Sequence, residues 1–331
     1  MKIFYTLLLG LLMGQCTDKP PVAVNKDASP EAQELLEFLI KISGEKRLSG
    51  QHNYIHSPFI YTEKAKEITG RSPAIWGCDF SYATDSARGS MIRAAQEMHS
   101  RGAIITLMWH SCFPEDGMRC SPAKIWHRQI SDSLWNELVT PGTELHEKWL
   151  RQLDYVAEFL KVLRDEHIPV LWRPYHEMNG IWFWWGNKPG PNGYQALWKG
   201  MYDRFVNHHQ LNNLVWVWNA NAPRDTPGDE AYPYADFYPG NSYVDILAAD
   251  VYHRDYRKSH HDQLLVLGGG KPIALGEVGG LPTPEQLAEQ PEWCWFMVWS
   301  DWLIKENTAE EVQAVYNMPG TLSLDSLHDV Y

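Results

Sequence analysis

From about Ser29 onward the chain alternates between two periods. Short apolar runs rich in β-branched and aromatic residues recur, and between them lie stretches whose apolar positions repeat at helical spacing. The predicted strands are Arg47 to Asn53, Pro73 to Phe80, Ala103 to His110, Pro169 to His176, Leu214 to Ala220, Val244 to Tyr252, Pro272 to Val278 and Cys294 to Ser300. The clearest helix places Leu145, Trp149, Leu150, Leu153, Val156, Leu160 and Leu163 on one face. A second carries Tyr194, Leu197, Trp198, Met201, Tyr202 and Phe205 on one stripe. Strands alternating with helices give a parallel sheet, and eight repeats in a chain of 331 residues favour a closed (β/α)8 TIM barrel in one α/β domain over an open doubly wound sheet. No glycine-rich phosphate fingerprint opens a helix, which further disfavours a nucleotide-binding fold.

The first residues follow a different logic. Lys2 precedes an apolar run, Ile3 to Met13, too short to span a bilayer, so residues 1–16 read as a signal peptide and the protein as exported. Cys16 follows Leu11, Leu12, Met13 and Gly14 as a lipidated cysteine would, although Gln15 is larger than the residue usual before it. The expectation is a cell-envelope lipoprotein, with simple cleavage and secretion as the alternative. Residues 17–29, with Pro20 and Pro21, read as a linker, and 30–331 as the catalytic domain.

Composition narrows the function. A formal charge of -12 argues against a nucleic-acid groove, because phosphate binding draws on clustered cations. Sixteen Trp and sixteen Tyr suit either an aromatic-rich core or a cleft that stacks on sugar rings. Cys112 and Cys120 flank a short loop and are a plausible disulfide in an exported protein, whereas Cys78 and Cys294 sit inside strand-like runs as small hydrophobes. The pairs His208/His209 and His260/His261 are adjacent rather than four apart, so they read as surface histidines and not as metal ligands. No metal or cofactor is expected, and the protein is expected to be a monomer.

In a barrel of this type the active site lies at the carboxyl ends of the strands. The third strand ends in Trp109-His110, the fourth in Arg173-Pro174-Tyr175-His176-Glu177, the sixth in Asp250-Val251-Tyr252, the seventh in Glu277 and the eighth in Trp299. Glu177 and Glu277 stand out, since glycoside hydrolysis uses one carboxyl to protonate the leaving oxygen and another at the anomeric carbon. Arg173 is a candidate for keeping the nucleophile ionised at low pKa. His176, one residue before Glu177, should point away from it along a regular strand, unless the strand ends there.

The segment Arg173-Pro174-Tyr175-His176-Glu177-Met178-Asn179-Gly180-Ile181-Trp182-Phe183-Trp184-Trp185-Gly186 resembles the signature of glycoside hydrolase family 26, mostly endo-β-1,4-mannanases of clan A. The likeness continues through Gly50-Gln51-His52, Trp109-His110, Asp250-Val251-Tyr252 and Gly276-Glu277-Val278-Gly279. It implies a retaining enzyme acting on β-mannan or galacto- or glucomannan, with Glu177 as acid/base and Glu277 as nucleophile. Implied substrate-binding residues are His110, Arg173, His176, Trp182, Asp250, Tyr252 and Trp299. Alternation alone does not choose between Trp299 and its neighbours Trp293, Trp295 and Trp302 as the stacking platform. The family also includes enzymes on mixed-linkage β-glucan and β-1,3-xylan, and a non-catalytic surface glycan-binding protein would share the aromatic cleft but has no use for both carboxylates. Long loops, Ser111 to Gly142 and Asn221 to Ser242, leave endo or exo action open.

Overall fold

Eight strands are buried along their whole length, as expected when helices cover one side and packed side chains fill the other. The computed structural model describes residues 22–331 apart from Tyr82, His127, His328 and Asp329. The strands are β1 (Arg47–His52), β2 (Ile75–Asp79), β3 (Ile104–Trp109), β4 (Val170–Pro174), β5 (Leu214–Asn221), β6 (Ile246–Val251), β7 (Ile273–Val278) and β8 (Trp293–Val298). Each pairs in parallel with the next, and β1 closes the ring by pairing with both β2 and β8, with Gly50 opposite Ile75 and Leu48 opposite Trp295. This is the (β/α)8 barrel that the periodicity predicts. Each expected strand is present with its ends displaced by at most two residues: most are shortened, whereas β5 runs one residue further, to Asn221, and β8 starts one residue earlier, at Trp293.

Helices between the strands start where the sequence supplies caps. Ser29, Thr84, Thr143, Thr283 and Thr308 each accept a backbone N–H, and Thr283 with Gln286 and Thr308 with Glu311 form reciprocal capping boxes. The 22-residue helix Glu144–Asp165 buries the expected apolar stripe except Leu150, which is partly exposed. The helix Tyr194–Asp203 continues through a π-turn, Arg204–His208, that carries Phe205 into the core.

Three features depart from expectation. A short ninth strand, Thr321–Leu322, pairs with the start of β1. Residues 22–29 do not behave as spacer: Ala23 is buried, Val24 N–H donates to Asp245 Oδ1 at 2.7 Å, and Tyr202 donates to the Val24 carbonyl at 2.8 Å. His209, His260 and His261 are buried rather than on the surface, each beside an acidic group: Asp154 lies 2.7 Å from His209 Nε2, Glu292 2.7 Å from His261 Nε2 and Asp255 3.6 Å from His260 Nε2. Only His208 of the four is exposed. The expected signal peptide, with Cys16, and the first part of the expected linker lie outside the described residues. Among the described residues no helix is long and apolar enough to cross a membrane.

Cys112 and Cys120 are joined by a disulfide, with Cα atoms 5.9 Å apart, and Cys78 and Cys294 are buried free thiols.

Candidate active site

The rim of the barrel at the carboxyl ends of the strands holds a cavity of about 290 Å³ lined by both Glu177 and Glu277. Glu277 arrives from β7, opposite Asp250 of β6 in the ladder. Glu177 lies three residues beyond the end of β4. Tyr175 and Glu177 take left-handed backbone conformations, φ 48° and 53°, which breaks the strand alternation. As a result His176 and Glu177, neighbours in sequence, both line the cavity. The unusual backbone is anchored: Glu177 N–H donates to the Asn219 carbonyl at 2.8 Å, and the Asn179 side chain bonds β5 through Asn221 O and Asn221 N, each at 2.8 Å.

The two carboxyls receive different partners. Glu177 accepts from Trp182 Nε1 at 2.7 Å on Oε2 and from Asn221 Nδ2 at 2.5 Å on Oε1. Glu277 accepts from the Tyr252 hydroxyl at 2.8 Å on Oε2, and its Oε1 lies 3.5 Å from Arg173 Nη2 and 3.6 Å from His176 Nε2. Burial raises the pKa of Glu177, against the two hydrogen bonds that favour its charge. Burial also lifts Glu277, pushed up to about 7 despite Arg173, with the charge of Glu177 adding to the rise. Arg173 therefore moderates Glu277 without giving it the low pKa expected from the sequence. Because the charge of Glu177 is one cause of the rise at Glu277, the two titrations are linked.

A second tier sets the histidines. Asp79, at the end of β2, accepts from His110 N–H at 3.0 Å and lies 2.6 Å from His110 Nδ1. Burial opposes charge on both, yet the Asp79 carboxylate, with Glu277 and Glu177 behind it, holds the His110 pKa above its ordinary value. His110 in turn keeps Asp79 below the usual carboxylate range. Burial drives His176 well below the ordinary imidazole value, so it is neutral and its Nε2–H can face Glu277. His52 stacks on Trp299 with ring centroids 3.8 Å apart, and burial lowers its pKa to about 3.

Of the residues expected to bind substrate, His110, His176, Trp182, Tyr252 and Trp299 line the cavity. Arg173 and Asp250 do not. Both are fully buried below its floor, with Arg173 Nη1 3.8 Å from Asp250 Oδ1, and they act on the site through Glu277. Burial, followed by the two catalytic-type carboxyls, holds Asp250 well above the usual carboxylate range. Their packing leaves no room at Gly276, where a Cβ would lie 1.8 Å from Asn219 Oδ1 and 2.9 Å from Arg173 Nη1. Among the tryptophans near the last strand, Trp293 and Trp295 belong to the core, while Trp299 and Trp302 reach the cavity.

Sequence reasoning did not find Trp126, Phe183, Arg224, Asp229 or His253, which complete the lining, nor Asn221 and Asp79 behind it. The long loops supply Trp126 and Arg224. The cavity continues on both sides. Toward β1 and β2 it opens into a space of about 370 Å³ that shares His110, Trp126, Trp299 and Trp302 and adds Tyr54, Asp301 and Lys305. Toward β6 it opens into one of about 520 Å³ sharing Arg224, Asp229, Tyr252 and His253. The carboxyls thus lie on a cavity flanked by two further spaces that share its walls, through Trp126, Trp299 and Trp302 on one side and Tyr252 on the other.

The comparisons agree with this geometry. A structure of GH26A from Muricauda sp. MAR_2010_75 is 51% identical and superposes with a TM-score of 0.89 over 91% of this chain and 99% of that one. A β-mannanase from a symbiotic protist of the termite Reticulitermes speratus, solved with a gluco-manno-oligosaccharide, is 28% identical with a TM-score of 0.78, covering 92% of this chain and 96% of that one. A mannan endo-1,4-beta-mannosidase of Thermothelomyces thermophilus is 34% identical over 92% of this chain, which spans 62% of that protein's length. With another curated relative, from Piromyces sp, the chain spans 50%. The model of the family Glycosyl hydrolase family 26 matches residues 24–326, nearly all of the described barrel, and with two strand-end carboxyls on one aromatic cleft the chain belongs to that family.

Proposed function

We propose that this chain cleaves internal bonds of β-1,4-mannan, plain or decorated, by double displacement with retention. The observation that carries the reading is the pair of buried carboxyls, Glu177 and Glu277, on one cavity with unlike donor sets. Glu277 Oε attacks the anomeric carbon as the bond to the leaving oxygen breaks, and Glu177 gives its proton to that oxygen. Glu177, now ionised, takes a proton from water, which attacks the same carbon and releases Glu277. Arg173 at 3.5 Å and Tyr252 at 2.8 Å support placing the negative charge on Glu277. In this reading His110, whose pKa is raised, and the neutral His176 bond sugar hydroxyls, and Trp299, backed by His52, stacks under the ring being cleaved. Space on both sides of the carboxyls supports internal rather than terminal cutting. The likeness to mannanases supports mannan over mixed-linkage glucan or β-1,3-xylan. We also propose export, which the Cys112–Cys120 disulfide supports because such bonds persist in oxidising compartments.

The test is product analysis on mannan, galactomannan, lichenan and xylan with wild type, Glu177→Ala and Glu277→Ala. Mannan should give a ladder of oligosaccharides, and each variant should lose on the order of 10² to 10⁴ in rate or more. Binding to mannan without release of reducing ends would instead make the protein a glycan binder.

A further inference from the structure

Arg224 sits on a loop after β5, with no place in the two-carboxyl mechanism, yet it touches both hydrogen-bond donors of Glu177. Its Nη1 donates to Asn221 Oδ1, and its guanidinium lies over the Trp182 ring at 4.9 Å from the centroid. The first contact decides which way the Asn221 amide faces. A guanidinium can only donate, so Asn221 must present oxygen to Arg224 and nitrogen to Glu177, where Nδ2 donates at 2.5 Å. The second contact holds the indole whose Nε1 donates to Glu177 Oε2 at 2.7 Å. Gly180 leaves the space that this ring needs, since a Cβ there would lie 2.2 Å from it.

Arg224 is itself fixed. Asp229 grips it with two bonds, Nε to Oδ2 at 2.8 Å and Nη2 to Oδ1 at 2.6 Å. The loop is closed by reciprocal backbone bonds between Arg224 and Ala231 at 3.0 Å, and Tyr232 N–H bonds Asn179 O at 2.9 Å, two residues past Glu177. We infer that the Arg224–Asp229 pair is a positioning device for the acid/base: through Asn221 and Trp182 it fixes where the Glu177 carboxyl points. This rests on the proposed role of Glu177. It also explains why a cation on the cleft wall, within reach of a neutral substrate, is bound so tightly to protein groups.

The consequence concerns leaving-group protonation alone. The test compares a 2,4-dinitrophenyl β-mannobioside, whose phenolate departs without a proton, with mannan, whose sugar hydroxyl leaving group needs one. Arg224→Met and Asp229→Asn should lose about tenfold to a hundredfold in kcat/KM on mannan, the scale of a misplaced catalytic group, and much less on the dinitrophenyl substrate. Arg224→Lys, which can still donate to Asn221, should recover part of the loss. The alkaline limb of kcat/KM should move to higher pH in Arg224→Met. The reason is that protonated Glu177 is the active form, and Arg224, Asn221 and Trp182 all favour its charged form. Equal losses on both substrates with an unmoved limb would overturn the inference. Glu177→Ala, run beside them, separates the two levels: if it shows no leaving-group dependence, the acid/base assignment fails first. Should Arg224→Met lose its cooperative melting, Asp229→Asn and Arg224→Lys give the same comparison with a charge retained at position 224.

Discussion

The Tyr252 hydroxyl donates to Glu277 Oε2 at 2.8 Å, while the opposite oxygen of the same carboxyl faces Arg173 and His176. A tyrosine one residue past β6 thereby bonds the β7 carboxyl and favours its charged form. Tyr252→Phe keeps the ring, which packs edge-on against Trp302 at 5.3 Å, and removes only the donor. The pKa of Glu277 should then rise above its value of about 7. Activity requires ionised Glu277 and is lost as pH falls through its pKa, so the acid limb of kcat/KM should move to higher pH. A rate loss of roughly 10²- to 10³-fold near neutrality should accompany it, in the range of one preorganised donor. An unmoved acid limb would show that the hydroxyl does not act on Glu277.

Asp79 and His110 make a second separable claim. Asp79→Asn removes the charge that raises the His110 pKa, and that pKa, followed by NMR titration, should fall below its wild-type value. The sign for stability follows from both shifts. The raised His110 contributes stability at low pH that is lost as pH rises through its folded pKa. The depressed Asp79 contributes above its ordinary pKa, and that is lost as pH falls through its folded value. The wild-type advantage over Asp79→Asn, about 1 to 3 kcal/mol for a charge-assisted bond, should therefore appear between the two folded pKa values and shrink outside them. A constant difference across pH would contradict the pairing.

Gly276 offers a steric test. With Asn219 Oδ1 at 1.8 Å from its projected Cβ, Gly276→Ala must displace Asn219 or Arg173, both buried. It should cost about 1 to 3 kcal/mol in urea unfolding, typical of overpacking, and lower activity because Arg173 moves relative to Glu277. A fully active, equally stable variant would mean that this floor is pliable.

The disulfide closes a short loop, with the two cysteines eight positions apart. That loop also takes Gln152 Nε2 on Gly117 O and Arg88 Nη2 on Met118 O. Replacing both cysteines by serine should cost about 2 to 3 kcal/mol by loop entropy. The melting temperature should fall on adding dithiothreitol to wild type and not to the double variant.

The barrel was legible because its strands are buried on both sides and so read as unbroken apolar runs; Trp293 to Val298 is an example. Glu177 and Glu277 were legible because a carboxyl at the end of such a run has little structural reason to be there. His176 was ambiguous, since its orientation depends on left-handed turns at Tyr175 and Glu177 that residue type does not announce. Arg224 and Trp126 were invisible for a different reason: they reach the cleft from long loops, where no period fixes direction. The polar Asn219 and Asn221 closing an otherwise apolar β5 were an available signal for the Glu177 donor. Burial of His260 and His261 was likewise available, because they share a helical face with Leu264 and Gly268.

The most direct measurement is covalent labelling with a 2-deoxy-2-fluoro-β-mannobiosyl fluoride, whose glycosyl-enzyme turns over slowly, followed by peptic digestion and mass spectrometry. The account predicts one added mannobiosyl unit on Glu277, absent in Glu277→Ala and released when an acceptor sugar is supplied. Stoichiometric labelling of a different carboxyl, or brisk turnover with inversion and no adduct, would contradict it.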